Sequence, residues 1–216
     1  MHNAHIPDHT ASAIDTGHVD ITTDRLRLQP LKHEHKEAAV ALLAEKDIAK
    51  CLANMPSPYS EADFDEFIQI VHAEDNKDLV LAITNWQDGA FLGVVSLQAT
   101  QSPDVVELGY WLGKPYWGIG IMKEATMALI DQHFAVSEKS MIRAGYFTDN
   151  PASGNVLRFL GFRDINEQKV YSLARKMEVD HRDMELTREA YLGTEQKPDA
   201  GRQRDLARST SYSMNY

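Results

Sequence analysis

Gly118 and Gly120 bracket a single residue, Ile119, where an apolar strand gives way to a helix. Glycine lets a backbone bend tightly and lets a bulky group come close. The first N–H groups of a helix lack internal partners and carry partial positive charge. Together these features make a seat for a pyrophosphate. A ligand-free strand-to-helix turn has the same pattern. The stretch has neither G-x-G-x-x-G nor a G-K-[ST] ending, so neither a Rossmann dinucleotide site nor a P-loop is supported. Upstream, Glu107 is the one charge between Val105 and Leu112. On an extended strand Val105, Glu107, Gly109 and Trp111 share one face. A single carboxylate on a largely apolar face suits a base or the anchor of a relayed water. The structural alternative is an ion pair with Arg143 on a neighbouring strand. The one cysteine, Cys51, reads as a small apolar residue rather than a nucleophile, and is expected to be remote from these groups. No Gly-x-Ser-x-Gly elbow is present. His2, His5, His9 and His18 form a tract able to bind metal, but nothing gives it a fixed geometry and no metal site is expected.

The elements that must position these residues follow from periodicity. Residues 105–112 are β-branched, aromatic and apolar, the pattern of a strand buried on both faces. Lys114-Pro115 ends it, because proline cannot continue a central ladder. Met122, Ala125 and Leu129 then fall on one face of a helix running to about Ala135. Near the N-terminus, residues 21–31 alternate around Leu26 and Leu28 and predict a first strand. Residues 34–52 predict a helix with Ala38, Leu42 or Leu43, and Ala49 inward. Met55-Pro-Ser-Pro-Tyr59 is a rigid turn. Ser60 and Asp63 have capping-box spacing, and the helix they open runs to about Glu74 with Phe64, Phe67, Ile68 and Val71 inward. Strands over 79–84 and 90–99 are joined through Asp88-Gly89, a hairpin signal. Residues 140–147 predict another strand. Asn150 as N-cap, Pro151 at the first helical position and Gly161 past the end punctuate a further helix. Residues 169–174 and 184–187 predict a closing hairpin. This order is a mixed α+β sheet with helices on both faces. Residues 1–20 are expected to be a disordered leader, 21–193 one domain, and 194–216 a disordered tail.

Bulk properties narrow the function classes. The 216 residues suffice for one sizeable core. A net charge of −10 and a pI of about 5.3 disfavour a general nucleic-acid binder, although local amides and lysines can still hold an anionic ligand. No apolar run approaches the ~18 residues of a membrane span, and the N-terminus lacks an apolar signal core. A lone cysteine allows no internal disulfide. The expected setting is cytoplasmic, with neither nucleic acid nor membrane as partner.

Two blocks carry a family resemblance. Glu107-Leu-Gly-Tyr-Trp-Leu112 with Pro115-Tyr-Trp-Gly-Ile-Gly-Ile-Met-Lys-Glu-Ala125 resembles the acetyl-CoA-binding segment of the GCN5-related N-acetyltransferases (GNAT). Within them it is most similar to the ribosomal-protein N-terminal acetyltransferase branch. Asn150-Pro-Ala-Ser153 with the Val-Leu-x-x-Leu-Gly-Phe run ending at Phe162 resembles a second block, and residues 23–31 the opening strand. The family's phosphate loop runs Gln/Arg-x-x-Gly-x-Gly/Ala. Gly120 matches it. Trp117 and Met122 depart from it, and Met122 is large enough to crowd the phosphates.

The resemblance implies a mostly antiparallel twisted sheet with a splayed central parallel pair, here residues 105–112 and 140–147. It implies acetyl-CoA as co-substrate, seated on Trp111, Leu112, Trp117, Gly118, Ile119, Gly120, Ile121, Met122, Asn150 and Ser153. A strand amide near Trp111 or Leu112 would serve as oxyanion donor. Glu107 is the candidate base. Ser153 is a candidate acid or water-orienting group, with local helix capping as its alternative, and Asn150 has its N-cap role as alternative. Tyr59 would stand in the wall of the acceptor site. Many relatives have a tyrosine along this last helix as proton donor, whereas Phe159 and Leu160 occupy that region here. The implied reaction is direct acetyl transfer to a primary amine, a protein or peptide α-amine first and a small-molecule amine second. A lapsed acyl-CoA-binding module is the alternative of another class. Dimers are common among relatives, so a homodimer is compatible with the resemblance.

Overall fold

Alternation along Leu79–Asn85 divides the molecule into two cores. Leu79, Leu81 and Ile83 point into one, Val80 and Ala82 into the other. The computed structural model describes residues 19–193. All but the last two residues of the expected leader, its histidines included, and the expected tail lie outside them.

The strands are β1 (Ile21–Thr22), β2 (Leu26–Pro30), β3 (Leu79–Asn85), β4 (Phe91–Ala99), β5 (Val105–Leu112), β6 (Met141–Phe147), β7 (Arg163–Ser172) and β8 (Met177–Thr187). They form one eight-stranded sheet in the order β1-β2-β3-β4-β5-β6-β8-β7. Every neighbouring pair is antiparallel except β5 and β6. The larger core packs α4 (Ile121–Val136) and α5 (Pro151–Phe159) on one face, through residues such as Leu129, Ile130 and Leu157. The smaller core packs α1 (Lys36–Leu43), α2 (Lys46–Ala49) and α3 (Glu61–Val71) on the other. A short α6 (Arg188–Gly193) closes the described chain.

Several expectations need correction. The single helix over 34–52 is a 3-10 turn and two helices, because Glu45 is extended (ψ 111°) between α1 and α2. The buried positions are accordingly Ala39, Leu43, Ile48 and Ala49 rather than a face beginning at Ala38. The first strand is divided between β1 and β2, where the Thr23 N–H donates to the Leu26 carbonyl across a turn. The closing hairpin is longer than its pattern. β7 is an exposed edge strand with no apolar alternation to read. The capping box at Ser60 forms in both directions, Ser60 Oγ accepting from the Asp63 N–H and the Asp63 carboxylate from the Ser60 N–H.

Candidate active site

β5 and β6 pair over only three registers, Val105–Met141 to Glu107–Arg143, and then diverge. Between the diverging ends opens a cleft of about 610 Å³, within the range of small-molecule sites. Residues 107–112 of β5 and 145–147 of β6 line it, with residues 117–123 and the start of α5 on one side and residues 51–53 on the other. β5 therefore does not bury both faces: Gly109, Tyr110 and Trp111 are half-buried where it borders the cleft. Strand amides alternate between two edges. The Gly113 N–H donates to Leu92 O on the β4 side (2.8 Å), so the Trp111 N–H points toward β4 and the Leu112 N–H into the splay. Of the two expected oxyanion donors, Leu112 has the suitable direction.

Gly118 and Gly120 hold φ values of +76° and +81°, a region open to glycine and strained for other residues. Gly120 is the N-cap of α4, and no side chain caps the helix. The first helical turn begins with Glu124 N–H donating to Gly120 O, so the N–H groups of Ile121, Met122 and Lys123 precede any intrahelical bond and face the cleft mouth. Trp117 Nε1 donates to Leu112 O at 2.7 Å, tying the turn to the end of β5. Arg25 braces the other side: its guanidinium donates to Ile119 O (2.9 Å) and pairs with Glu124 (2.6 Å), which also accepts from Thr23 Oγ1. The Met122 side chain is buried in the larger core, so it does not crowd the turn as its size suggested.

On α5 the Asn150 side chain caps the Ser153 N–H at 3.4 Å. Ser153 Oγ lies 2.8 Å from the Tyr110 hydroxyl, which also reaches Ser153 O at 3.2 Å. Burial holds the Tyr110 phenol well above the ordinary range, partly offset by Ser153, so it stays protonated. A tyrosine thus reaches this helix from the neighbouring strand, where the sequence of the helix itself offers none.

An uncapped, glycine-bent helix start at the mouth of a parallel splay has the chemistry to receive an anion beside a slot. A family model described as an acetyltransferase (GNAT) domain matches residues 25–163. The chain belongs to the GNAT acetyltransferase family. It is an acyl-CoA-dependent N-acetyltransferase. The FsC-acetyl coenzyme A-N(2)-transacetylase of Aspergillus fumigatus is 26% identical over 196 residues, covering 84% of this chain and 81% of that one. The ribosomal-protein-S5-alanine acetyltransferase of Vibrio fischeri superposes with a TM-score of 0.68 at 21% identity, over 81% of this chain and 99% of that one. The spermidine N-acetyltransferase of Vibrio cholerae, solved with CoA and spermine, superposes with a TM-score of 0.66 at 18% identity, over 79% and 99%.

Within the GNAT cleft the sequence-predicted residues Glu107, Trp111, Leu112, Trp117 to Met122, Asn150 and Ser153 all lie along one lining. Glu107 and Arg143 face each other in register but form no ion pair among the described residues, and the Glu107 side chain is exposed rather than set on a dry apolar face. Tyr59 is not at the cleft. It is buried in the smaller core with Phe64 and Ile68, and burial pushes its phenol up to about 12. Cys51, expected to be remote, lines the cleft; its thiol donates to Asp47 O, and burial pushes it up, away from thiolate chemistry. Sequence reading missed Tyr110 and also His181, which lines the cleft from β8. The one local signal was Gly145, a glycine inside an apolar strand. Among the described residues no cluster of three or more His, Cys, Asp or Glu has the geometry of a metal site, and no helix is long and apolar enough to cross a membrane.

Proposed function

We propose that this protein moves the acetyl group of acetyl-CoA directly to a primary amine, the α-amine of a protein or peptide, as in the ribosomal-protein N-terminal branch. The observation that carries the reading is the uncapped start of α4 at the β5–β6 splay. The N–H groups of Ile121, Met122 and Lys123 seat the diphosphate, with Gly118 and Gly120 giving it room on either side of Ile119 and Trp117 holding the turn. Trp111 and Leu112 flank the pantetheine arm, and the Leu112 N–H polarises the thioester carbonyl. Loss of one such donor typically raises a barrier by roughly 3–4 kcal/mol. Asn150 and Ser153 border the sulfur. Ser153, hydrogen-bonded to Tyr110, orients the proton that the departing thiolate takes up. Glu107, exposed on the cleft wall, anchors the incoming ammonium or a water in front of it. The likeness of the two sequence blocks supports the α-amine. The exposed carboxylate of Glu107 on the cleft wall also favours a cationic small amine, which is the second reading. A cytoplasmic setting belongs to both.

Gly120→Trp tests the seat. It is expected to abolish acetyl-CoA binding by calorimetry while the chain still unfolds in one cooperative transition, its melting temperature lowered by a few degrees because tryptophan is strained at a φ of +81°. Undiminished binding would move the phosphate seat elsewhere. Thiol release against N-terminal peptides and polyamines then separates the acceptors. Binding with no turnover on any amine would make the protein an acyl-CoA-binding module.

A further inference from the structure

One wall of the cleft carries polar groups that the acetyl-CoA seat does not use. Strand alternation and register place Glu107 of β5, Gly145 and Phe147 of β6, and His181 and Asp183 of β8 on one face of the sheet. Tyr110 and Tyr146 point to the opposite face, where α5 packs. His181 lies over Gly145. A Cβ at that glycine would stand 2.1 Å from His181 Cε1 and 2.7 Å from Nε2, so the bare backbone is what admits the ring. His181 Nδ1 is 2.9 Å from Asp183 Oδ1. A carboxylate only accepts, so Nδ1 carries the proton, and Nε2 of the neutral ring keeps a free lone pair. Asp183 is itself held from β7: its second oxygen accepts from Gln168 Nε2 at 2.8 Å and, more loosely, from Asn166 Nδ2 at 3.5 Å. The ring meets Phe147 edge-on at 5.6 Å between centroids. It borders the cleft with 18% of its side chain exposed. A fixed tautomer, a buttressed carboxylate and a ring edge at the cavity are the requirements for a general base.

We propose that His181, oriented by Asp183, is the base that takes the proton of the acceptor amine. This rests on the acetyl-transfer reading above. His181 Nε2 takes one proton from the acceptor ammonium and releases it to solvent. The freed nitrogen lone pair forms the C–N bond to the thioester carbonyl carbon. The C–S bond breaks with its electron pair on sulfur, and the second proton of the nitrogen ends on that sulfur. Glu107 keeps its anchoring part, since among the described residues no side-chain hydrogen bond or ion pair fixes its orientation.

The test uses the full chain with His181→Gln and Asp183→Asn. Without any ligand, nitrogen-15 spectra of the imidazole should show the Nδ1–H tautomer in the parent and a tautomer mixture in Asp183→Asn. Acetyl-CoA affinity by calorimetry should stay within about twofold in both variants, which also reports that they fold. With the better of an alanine-initiated peptide and spermidine, kcat should fall about 10²–10⁴-fold in His181→Gln. With methoxyamine, which is neutral at assay pH, it should fall less than tenfold, and added imidazole should restore part of the loss. Unchanged kcat in His181→Gln, or equal losses on both kinds of amine, overturns the assignment while acetyl transfer stands. A parent that binds acetyl-CoA but acetylates no amine sinks both readings.

Discussion

Trp117 stands where the family pattern has glutamine or arginine, and its hydrogen bond explains why an indole serves. Its N–H reaches Leu112 O at 2.7 Å, so the turn is pinned to the residue whose own N–H is directed into the splay. Trp117→Phe keeps an aromatic ring, though a smaller one, and removes that bond, a change of about 1 kcal/mol. Acetyl-CoA affinity is expected to weaken by roughly fivefold, by the usual conversion of free energy to affinity. Calorimetry reads this directly, and unchanged affinity would free the turn from β5. Gly118 and Gly120 could be read from the sequence, because a left-handed φ is a property of the residue itself. Tyr59 could not. A tyrosine after Pro-Ser-Pro looks like a loop residue until the smaller core is seen to close over it.

At the scale of elements, α4 is held at its start by a chain segment about a hundred residues away. Glu124 collects Thr23 Oγ1 (2.6 Å), the Arg25 N–H (3.1 Å) and Arg25 Nε (2.7 Å), and Arg25 goes on to Ile119 O. The Glu124 side chain is 11% exposed and that of Arg25 45%, so solvent screens the arginine side of the brace but the carboxylate side little. Glu124→Ala is expected to cost about 2 kcal/mol, the usual scale of hydrogen bonds to a charged group. A urea midpoint lower than that of the parent, together with weaker acetyl-CoA binding, would show that stability and the phosphate seat share this brace. The α3 start was legible in full, since a capping box acts within four residues. The break between α1 and α2 was not, because nothing at Glu45 is a helix breaker and only the packing of Ile48 and Ala49 beneath the sheet demands it.

For the whole molecule the larger core includes one polar group with a consequence for pH. His133 is 2% exposed, and neither ring nitrogen has a hydrogen-bond partner among the described residues. Burial first, then Lys139 and Arg188, hold its pKa down to about 4 from 6.5. The unfolded chain binds a proton as pH falls below 6.5, whereas the fold refuses it until about pH 4. Stability from this group is therefore complete above about pH 6.5 and is lost as pH falls toward 4, by roughly 3 kcal/mol. His133→Phe should flatten that part of the curve. Urea denaturation at pH 7 and pH 4.5 checks it, and parallel pH dependence in parent and variant would assign the acid sensitivity elsewhere.

The order of elements from β3 to α5, the glycine turn and the two capped helices were determined by the sequence alone, because backbone preference, capping and apolar period act over a few neighbouring residues. Tyr110 beside Ser153, Cys51 at the cleft, and His181 over Gly145 with Asp183 behind it were decided only by the tertiary structure. Each depends on registers and packing between segments from some 30 to 100 residues apart. No local pattern carries such a distance: a strand's alternation says which residues share a face, and only its pairing says which face, and which neighbours, they meet.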